Sequence, residues 1–330
     1  MKSLKSASSQ LLNHTTSDVT SLHHFEDVDE LADFLPEDVR LTLLECGSFN
    51  CESAALNLGT LRFNFNHVNR NLKAIGQKQV GFLSFCMILQ GNGKHGIENN
   101  RLITEDYLFG FDSNREADLI FPGGCMYCAV YIRPDIFEAY TQAMDRLELD
   151  TRFLNSNYVY MSESFSPLRT YLKQIYKLLT QQSPLLQKSD FQQIILQDFL
   201  PLFIATIPAQ QERQISAKFF RRSQLVKKAD DYMRSHIDQP LTLTNLCQAL
   251  GTSNRALCYG FQEMFGTSPM FYLKILRLQG VYRALKAAKS NPKTVTEVAT
   301  QFGFYHLGYF ARDYKHMFGE LPSETLKQSK

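Results

Sequence analysis

The sequence predicts an α+β protein of two domains, a strand-rich N-terminal body with helices appended to it and an all-α C-terminal body. Three observations carry that expectation. Short apolar runs broken by turn residues fill about residues 40–132, and helical periodicity takes over after Pro134. Charge divides the chain: residues 211–330 hold 18 Lys+Arg against 9 Asp+Glu, and residues 1–210 hold 17 against 24, inside a total of only +2. Finally, the stretch 294–324, TVTEVATQFGFYHLGYFARDYKHMFGELPSE, has a degraded copy about 53 residues upstream, LTLTNLCQALGTSNRALCYGFQEMFGTSP.

A length of 330 residues with 44% hydrophobic and 21% charged residues suits two domains with proper cores. The first twenty residues lack the apolar centre of a signal peptide and read as a polar tail, and no apolar run approaches membrane-spanning length. Residues 61–65 (LRFNF) alternate, 80–89 form a buried run, and Gly91-Asn92-Gly93 is a strong hairpin signal. Residues 103–111 and 117–121 fit further strands around turns at 112–114 and 122–124, and 129–132 close the series. Strands at this spacing suggest a small barrel or jelly roll. Such a barrel can enclose a ligand cavity, here expected to be lined by Phe63, Phe65, Phe85 and Tyr131.

Pro134 opens a helix expected to reach about Leu147. Two longer amphipathic helices follow, one with Leu168, Tyr171, Leu172, Ile175, Leu178 and Leu179 on a single face, the other with Phe191, Ile194, Ile195, Phe199 and Leu202. Pro184 in the connection makes them an antiparallel pair, and their apolar faces fit both packing on the barrel and contact with a second subunit. These segments make a domain over 21–206. The polar stretch 207–222 (IPAQQERQISAKFFRR), where the charge changes sign, reads as a linker to a C-terminal domain over 223–327.

Each copy of the repeated stretch reads as two short helices around a sharp turn, over about 242–265 and 294–318. Thr294 and Glu297 make a capping box, Thr242 or Thr244 serves upstream, and Ser253 caps the second helix of the first copy. Gly251 and Gly303 sit where a left-handed residue ends the first helix. Between the copies, Leu278, Val281, Leu285 and Ala288 stripe a single helix that can hold both in a fixed relation. Helix, glycine turn, helix is a shape whose second helix can enter a major groove, and the basic half of the chain has the sign that phosphates require. With Leu257 and Phe261 inward, Arg255, Ala256 and Tyr259 remain for the groove. In the second copy His306, Leu307, Gly308 and Arg312 remain, although His306 reads equally as a satisfied imidazole. Arginine is the expected guanine reader, and Leu307 can touch only a thymine methyl. Thr252, Asn254, Lys274 and Lys315 suit phosphate contacts, which position without specifying.

The pattern Ala299, Gly303-Phe304, Tyr309-Phe310, Arg312, Tyr314-Lys315, Phe318-Gly319 and Pro322-Ser323 resembles the AraC/XylS family of transcriptional regulators over about residues 215–327. The wording of GFYHLGYFARDYKHMFGELPSETL is also similar to a branch containing the ethanolamine-utilisation regulator. The resemblance implies a cupin-like sensor domain ahead of a double helix-turn-helix domain, with Arg255 and Tyr259 on groove-facing positions. It implies double-stranded promoter DNA, a small-molecule effector, RNA polymerase and a second copy of the chain as partners. The expected function is a cytoplasmic, ligand-responsive, sequence-specific activator.

Catalytic equipment is not visible, and neither a cofactor nor a metal is expected: Lys94-His95-Gly96-Ile97-Glu98 offers one imidazole and one carboxylate in what reads as a surface turn. Seven cysteines without an export signal point to reduced thiols. Cys125 and Cys128 form a CxxC, and Cys46 and Cys51 a looser pair, so a cysteine-dependent redox or DNA-repair protein that binds promoters is the second reading. On a strand, however, residues 125 and 128 face opposite ways.

Overall fold

A computed structural model describes residues 19–35, 38–161, 165–208, 217–287 and 294–328. The expected tail falls almost wholly outside these residues, as does 209–216 of the expected linker. The N-terminal body consists of β1 (Thr20–Phe25), α1 (Val28–Phe34), β2 (Asp38–Leu43), β3 (Cys51–Asn57), β4 (Leu61–Val68), β5 (Leu72–Gln77), β6 (Leu83–Gln90), β7 (Gly96–Glu98), β8 (Arg101–Ile103), β9 (Tyr107–Phe109), β10 (Ala117–Phe121) and β11 (Cys125–Ile132). Then come α2 (Pro134–Ala143), α3 (Thr151–Ser156), β12 (Tyr158–Tyr160), α4 (Ser166–Thr180) and α5 (Ser189–Thr206). The C-terminal body is α6 (Ala217–Ser235), α7 (Leu243–Leu250), α8 (Asn254–Phe265), α9 (Pro269–Lys286), α10 (Val295–Gln301), α11 (Leu307–Phe318) and α12 (Pro322–Gln328).

The strands form two antiparallel sheets, β1-β3-β4-β11-β6-β9-β12 and β2-β5-β10-β7-β8, as a strand-rich N-terminal body requires. Several expectations change in detail. Gly91-Asn92-Gly93 turns the chain, yet β6 and β7 lie in different sheets, so the turn is a crossover. Asn92 donates to Gly123 O at 2.6 Å and Glu105 accepts from the Gly91 amide at 2.9 Å, contacts that aim the chain away from β6. The expected run 80–89 begins as a strand only at Leu83, and Val80 is 94% exposed. The helix begun at Pro134 stops at Ala143, where Asp145 takes a left-handed conformation. α6 starts at Ala217, inside the expected linker, because Phe219 is buried against the C-terminal core. β1 and α1 precede the region in which strands were expected.

Register decides what each face of the larger sheet meets. Phe63 pairs with Val130 and Phe65 with Cys128, and Phe85 also lies beside Val130, so one face carries these rings. That face packs on α4 and α5: Phe63 meets Phe199 edge-on at 4.8 Å between centroids, and Phe85 meets Phe203 at 4.9 Å. The other face presents Arg62 beside Tyr131, with Asn64 and Asn66 in the same row, toward the smaller sheet. The smaller sheet in turn presents Leu72, Ala74, Leu119 and Phe121 inward, Phe121 stacking on Tyr127 at 4.0 Å.

The outer face of the smaller sheet lies on the C-terminal body. Leu44, Ile97 and Ile120 join the core built by Phe219, Val226, Leu257, Phe261 and Tyr272. At its centre Lys73 of β5 reaches Asp230 of α6 at 2.7 Å, with side chains only 4% and 1% exposed. Asp230 also accepts from Arg234 and from the Tyr272 hydroxyl, both at 2.8 Å. Further along, Asp27 caps α1 with one oxygen and accepts from the Tyr282 hydroxyl at 2.6 Å and from Lys286 with the other. Arg283 grips Asp29 at 2.7 Å and reaches Leu41 O at 3.1 Å. The strand β5 therefore separates two environments, with Lys73 on the C-terminal body and its neighbour Ala74 between the sheets.

Candidate nucleic-acid interface

The C-terminal body is two helix-turn-helix units on one shaft. In the first, α7 and α8 meet around Gly251, which is left-handed at φ +61°. Thr242 caps α7 in a reciprocal box with Asn245, and Ser253 caps α8 by accepting from Ala256 N at 3.2 Å. In the second, Thr294 and Glu297 exchange bonds at the start of α10, with Thr294 N donating to Glu297 at 2.7 Å, and Gly303 is left-handed at φ +78°. These caps satisfy orphan amides exactly where a short helix has to begin, so neither unit depends on length for its helicity.

α9 is the shaft. Its N-terminal half packs Tyr272, Leu273 and Leu276 with Leu246, Leu257 and Phe261 of the first unit. Its C-terminal half packs Leu278, Val281 and Leu285 with Val298, Ala299, Phe310, Tyr314 and Met317 of the second. Gly280 permits the second unit's close approach, since a Cβ there would meet the Phe302 ring at 2.3 Å. Both second helices consequently leave the same parts outward: their N-terminal halves.

In the first unit Asn254, Arg255 and Tyr259 are exposed, with Thr252 and Ala256 half-buried beside them. Arg222 of α6 lies over the Tyr259 ring at 4.8 Å and is held by Glu263 at 2.9 Å. In the second unit His306, Leu307, Gly308, Arg312 and Lys315 are exposed. Lys274 is placed differently from the other residues expected to hold phosphates. It is half-buried, paired with Asp313 at 3.1 Å, and lies beside Cys46 of the N-terminal body.

The four residues expected to line a ligand pocket do not come together. Phe63, Phe65 and Phe85 are fully buried under α4 and α5, and Tyr131 lies on the opposite face of the sheet, as the 62–131 and 63–130 pairs dictate. Of the segment 94–98, only Lys94 and His95 form an exposed turn. Glu98 is buried on β7, and burial pushes its carboxyl up while the amides of Asn99 and Asn157 bind it. Cys125 and Cys128 face opposite sides of β11, with Cys128 in the core under α4 and α5. Burial pushes the Cys51 thiol up to about 12 and that of Cys128 well above its usual value, which keeps both protonated. Among the described residues no group of three or more His, Cys, Asp or Glu is placed to hold a metal, and no helix is long and apolar enough to cross a membrane.

Two features escaped the sequence reading. Tyr305 and Tyr309 stand exposed beside Leu307, although Tyr309 had been read only as the neighbour of Phe310 in a motif. The Lys73–Asp230 pair joins residues 157 apart, a separation that no local pattern announces.

The class that this geometry defines is a DNA-binding protein with two helix-turn-helix units on a common helix. Comparison with known proteins agrees: residues 246–328 match the family model described as a helix-turn-helix domain. The chain is 44% identical over 103 residues to a probable thc operon regulatory protein of Rhodococcus erythropolis, a match covering 31% of each. It is 34% identical over 99 residues to a XylDLEGF operon transcriptional activator of Pseudomonas putida, covering 30% of this chain and 31% of that one. A solved structure of a probable AraC family transcriptional regulator from Rhodopseudomonas palustris is 39% identical, with 98% of that chain and 32% of this one covered at a TM-score of 0.31. The C-terminal part of the chain is a helix-turn-helix domain similar to those of AraC/XylS-type regulators. The matched part spans about a third of the length of the two curated relatives.

Proposed function

We propose that the chain is a sequence-specific transcription regulator, an activator, that sets its two helix-turn-helix units into successive major grooves of promoter DNA. One observation carries this reading. A single buried helix, α9, fixes two second helices whose N-terminal halves are both exposed, and each bears an arginine, Arg255 or Arg312. Arg255, Ala256 and Tyr259 read one groove segment and His306, Leu307 and Arg312 the next, with Thr252, Asn254 and Lys315 on phosphates. The pairing of Lys274 with Asp313 favours a structural role for that residue. The N-terminal body, residues 21–206, is the effector-sensing and dimerisation domain, joined through 207–216 to a DNA-binding domain that begins with α6. The protein works in the cytoplasm as a homodimer, with RNA polymerase as its partner at the promoter. Relatives named as operon activators support the sign of regulation. The protonated thiols of Cys51 and Cys128 weigh against a cysteine-dependent repair or redox activity.

Selection of binding sites from a random duplex pool with the full chain, followed by footprinting, tests the reading. Protected bases are expected in two patches about one helical turn, ~34 Å, apart. Arg255→Ala and Arg312→Ala should each lose about 1–3 kcal/mol and relax preference at one or two base pairs, whereas Lys315→Ala should weaken all sequences alike. A single protected patch would mean that one unit alone docks.

A further inference from the structure

The two second helices offer different chemistry to the groove. On α8 the exposed face is more polar and cationic: Asn254 and Arg255 stand outward, and Tyr259, the one large exposed ring at 56%, carries the guanidinium of Arg222 over one face. On α11 the corresponding surface is an open depression of about 560 Å³ lined by Tyr305, His306, Leu307, Gly308, Tyr309 and Arg312. Tyr305 is 66% exposed, Tyr309 65% and Leu307 39%, so large apolar surfaces face outward where a groove reader usually places amides and hydroxyls. Gly308 leaves the floor open, with nothing within 4 Å of the position a Cβ would occupy. No carboxylate or carboxamide lines the depression, so adenine cannot be read here by the paired bonds that Asn or Gln provide, nor cytosine by an acid.

The major groove itself presents one apolar group, the C5 methyl of thymine. We propose that the second unit recognises its half-site through thymine methyl groups, seated against Leu307 and Tyr309 with Tyr305 at the rim, while Arg312 takes a single guanine. This deepens the regulator reading above and rests on it. Arg312 lies with its guanidinium over the Tyr309 ring at 5.2 Å, which limits the rotamers it must abandon to reach a base edge. Lys315 and His316 on the same helix are exposed, and its one acid, Asp313, is held by Lys274 at 3.1 Å and lies 4.0 Å from Arg312, so the surroundings of the apolar depression suit a polyanion. The preferred half-site of the second unit is accordingly rich in A·T pairs with methyls on the contacted strand, whereas the first unit's half-site is read chiefly by hydrogen bonds from Arg255, with Ala256 its one small apolar contact.

Replacement of thymine by uracil removes only the methyl and leaves the pairing edge intact, so it isolates this contact. With the full chain bound to its selected duplex at fixed salt, each contacted thymine changed to deoxyuridine should weaken binding about fourfold, the equivalent of ~0.8 kcal/mol. The losses should concentrate in one of the two protected patches, with no more than a single such position in the other. In Leu307→Ala and Tyr309→Ala proteins the uracil penalty should shrink toward onefold at the affected positions, whereas in Arg255→Ala it should remain. These side chains are exposed, so the variants keep the fold. Uracil tolerated at every position would overturn the proposal, as would a penalty that survives both substitutions. So would DNA affinity that Leu307→Ala and Tyr309→Ala leave unchanged, the result expected if a protein partner covers the depression. Failure of the full chain to select any duplex would instead overturn the regulator reading on which the proposal stands.

Discussion

The two sheets are held to their outer neighbours by different physics. The larger sheet meets α4 and α5 through interlocked rings, Phe63 and Phe199, Phe85 and Phe203, with Leu168, Leu172 and Ile195 around them. The smaller sheet meets the C-terminal body through a ring of apolar residues, but its centre is the desolvated group of Lys73, Asp230, Arg234 and Tyr272. An apolar contact gains free energy roughly in proportion to area and tolerates small displacements. A buried ion pair gains little net free energy but penalises any arrangement that separates the charges. The first contact fixes helices permanently to the sheet, and the second fixes one particular docking of the two bodies. Because Lys73 and Ala74 are successive residues of β5, a shift between the sheets and a shift of the docking are the same displacement.

Removal of one charge from the ionic centre should have the largest effect. Asp230→Ala leaves Lys73 and Arg234 buried without their acceptor and should cost about 3–5 kcal/mol of unfolding free energy by chemical denaturation. The combined change Lys73→Met with Asp230→Leu should recover most of that loss, since no unpaired charge remains. A double variant as unstable as Asp230→Ala would show that the site acts through packing alone. The apolar layer should respond more mildly to an apolar exchange. Phe199→Leu keeps the site hydrophobic at slightly smaller volume and should cost no more than about 1.5 kcal/mol in the same measurement. A larger loss there would mean that the ring geometry around Phe199, and not apolar burial, sets the stability of that layer.

What was legible in the sequence follows the range of the interactions. The capping pair Thr294 and Glu297, the Ser253 cap and the glycine turns involve partners three or four residues apart, and the structure has them as read. The apolar faces of α4 and α5 and the division into a strand-rich and a helical body were legible for the same reason. β4 was legible as a strand but not as to sides. LRFNFNHV is buried on both faces, so alternation separates Phe63 and Phe65 from Arg62 and Asn64 without saying which set meets helices and which the other sheet. The sheet that each strand joins after Gly93 depends on bonds that Gly91 and Asn92 donate to Glu105 and Gly123, which are distant in sequence. Lys73 is one of 35 lysines and arginines, and nothing near it in sequence marks it until Asp230 is brought against it. In the second helix-turn-helix unit, Tyr309 enters the sequence reading only as a motif neighbour of Phe310, and the helical rotation of about 100° between neighbours puts it in solvent.

Acid should separate the two contacts with a smaller and graded effect. Burial pushes the Asp230 carboxyl up, but Lys73 and Arg234 more than offset it and hold the group below the usual carboxylate value. Asp27 behaves alike, with burial opposed by its bonds from Lys286 and Tyr282. A carboxylate depressed in the folded state adds stability that is fully present above its unfolded value, near 4, and is lost as the pH falls through the folded one. At the alkaline end Lys286, raised by Asp27 against the opposing effect of burial, loses its contribution only as the pH rises past the usual lysine value. The ionic contact should therefore hold a plateau between about pH 5 and pH 9 and weaken below about pH 4. Hydrogen exchange resolves the two sides in one sample: between pH 5 and pH 3, amides of α6 and β5 should lose protection before those of α5, once intrinsic rates are corrected. In the Lys73→Met, Asp230→Leu protein much of that acid-dependent difference should disappear, leaving the share due to Asp27. Equal and simultaneous loss of protection on both faces would mean that the sandwich and the C-terminal body unfold as one unit, and the distinction between a permanent contact and a specific one would then have no energetic basis.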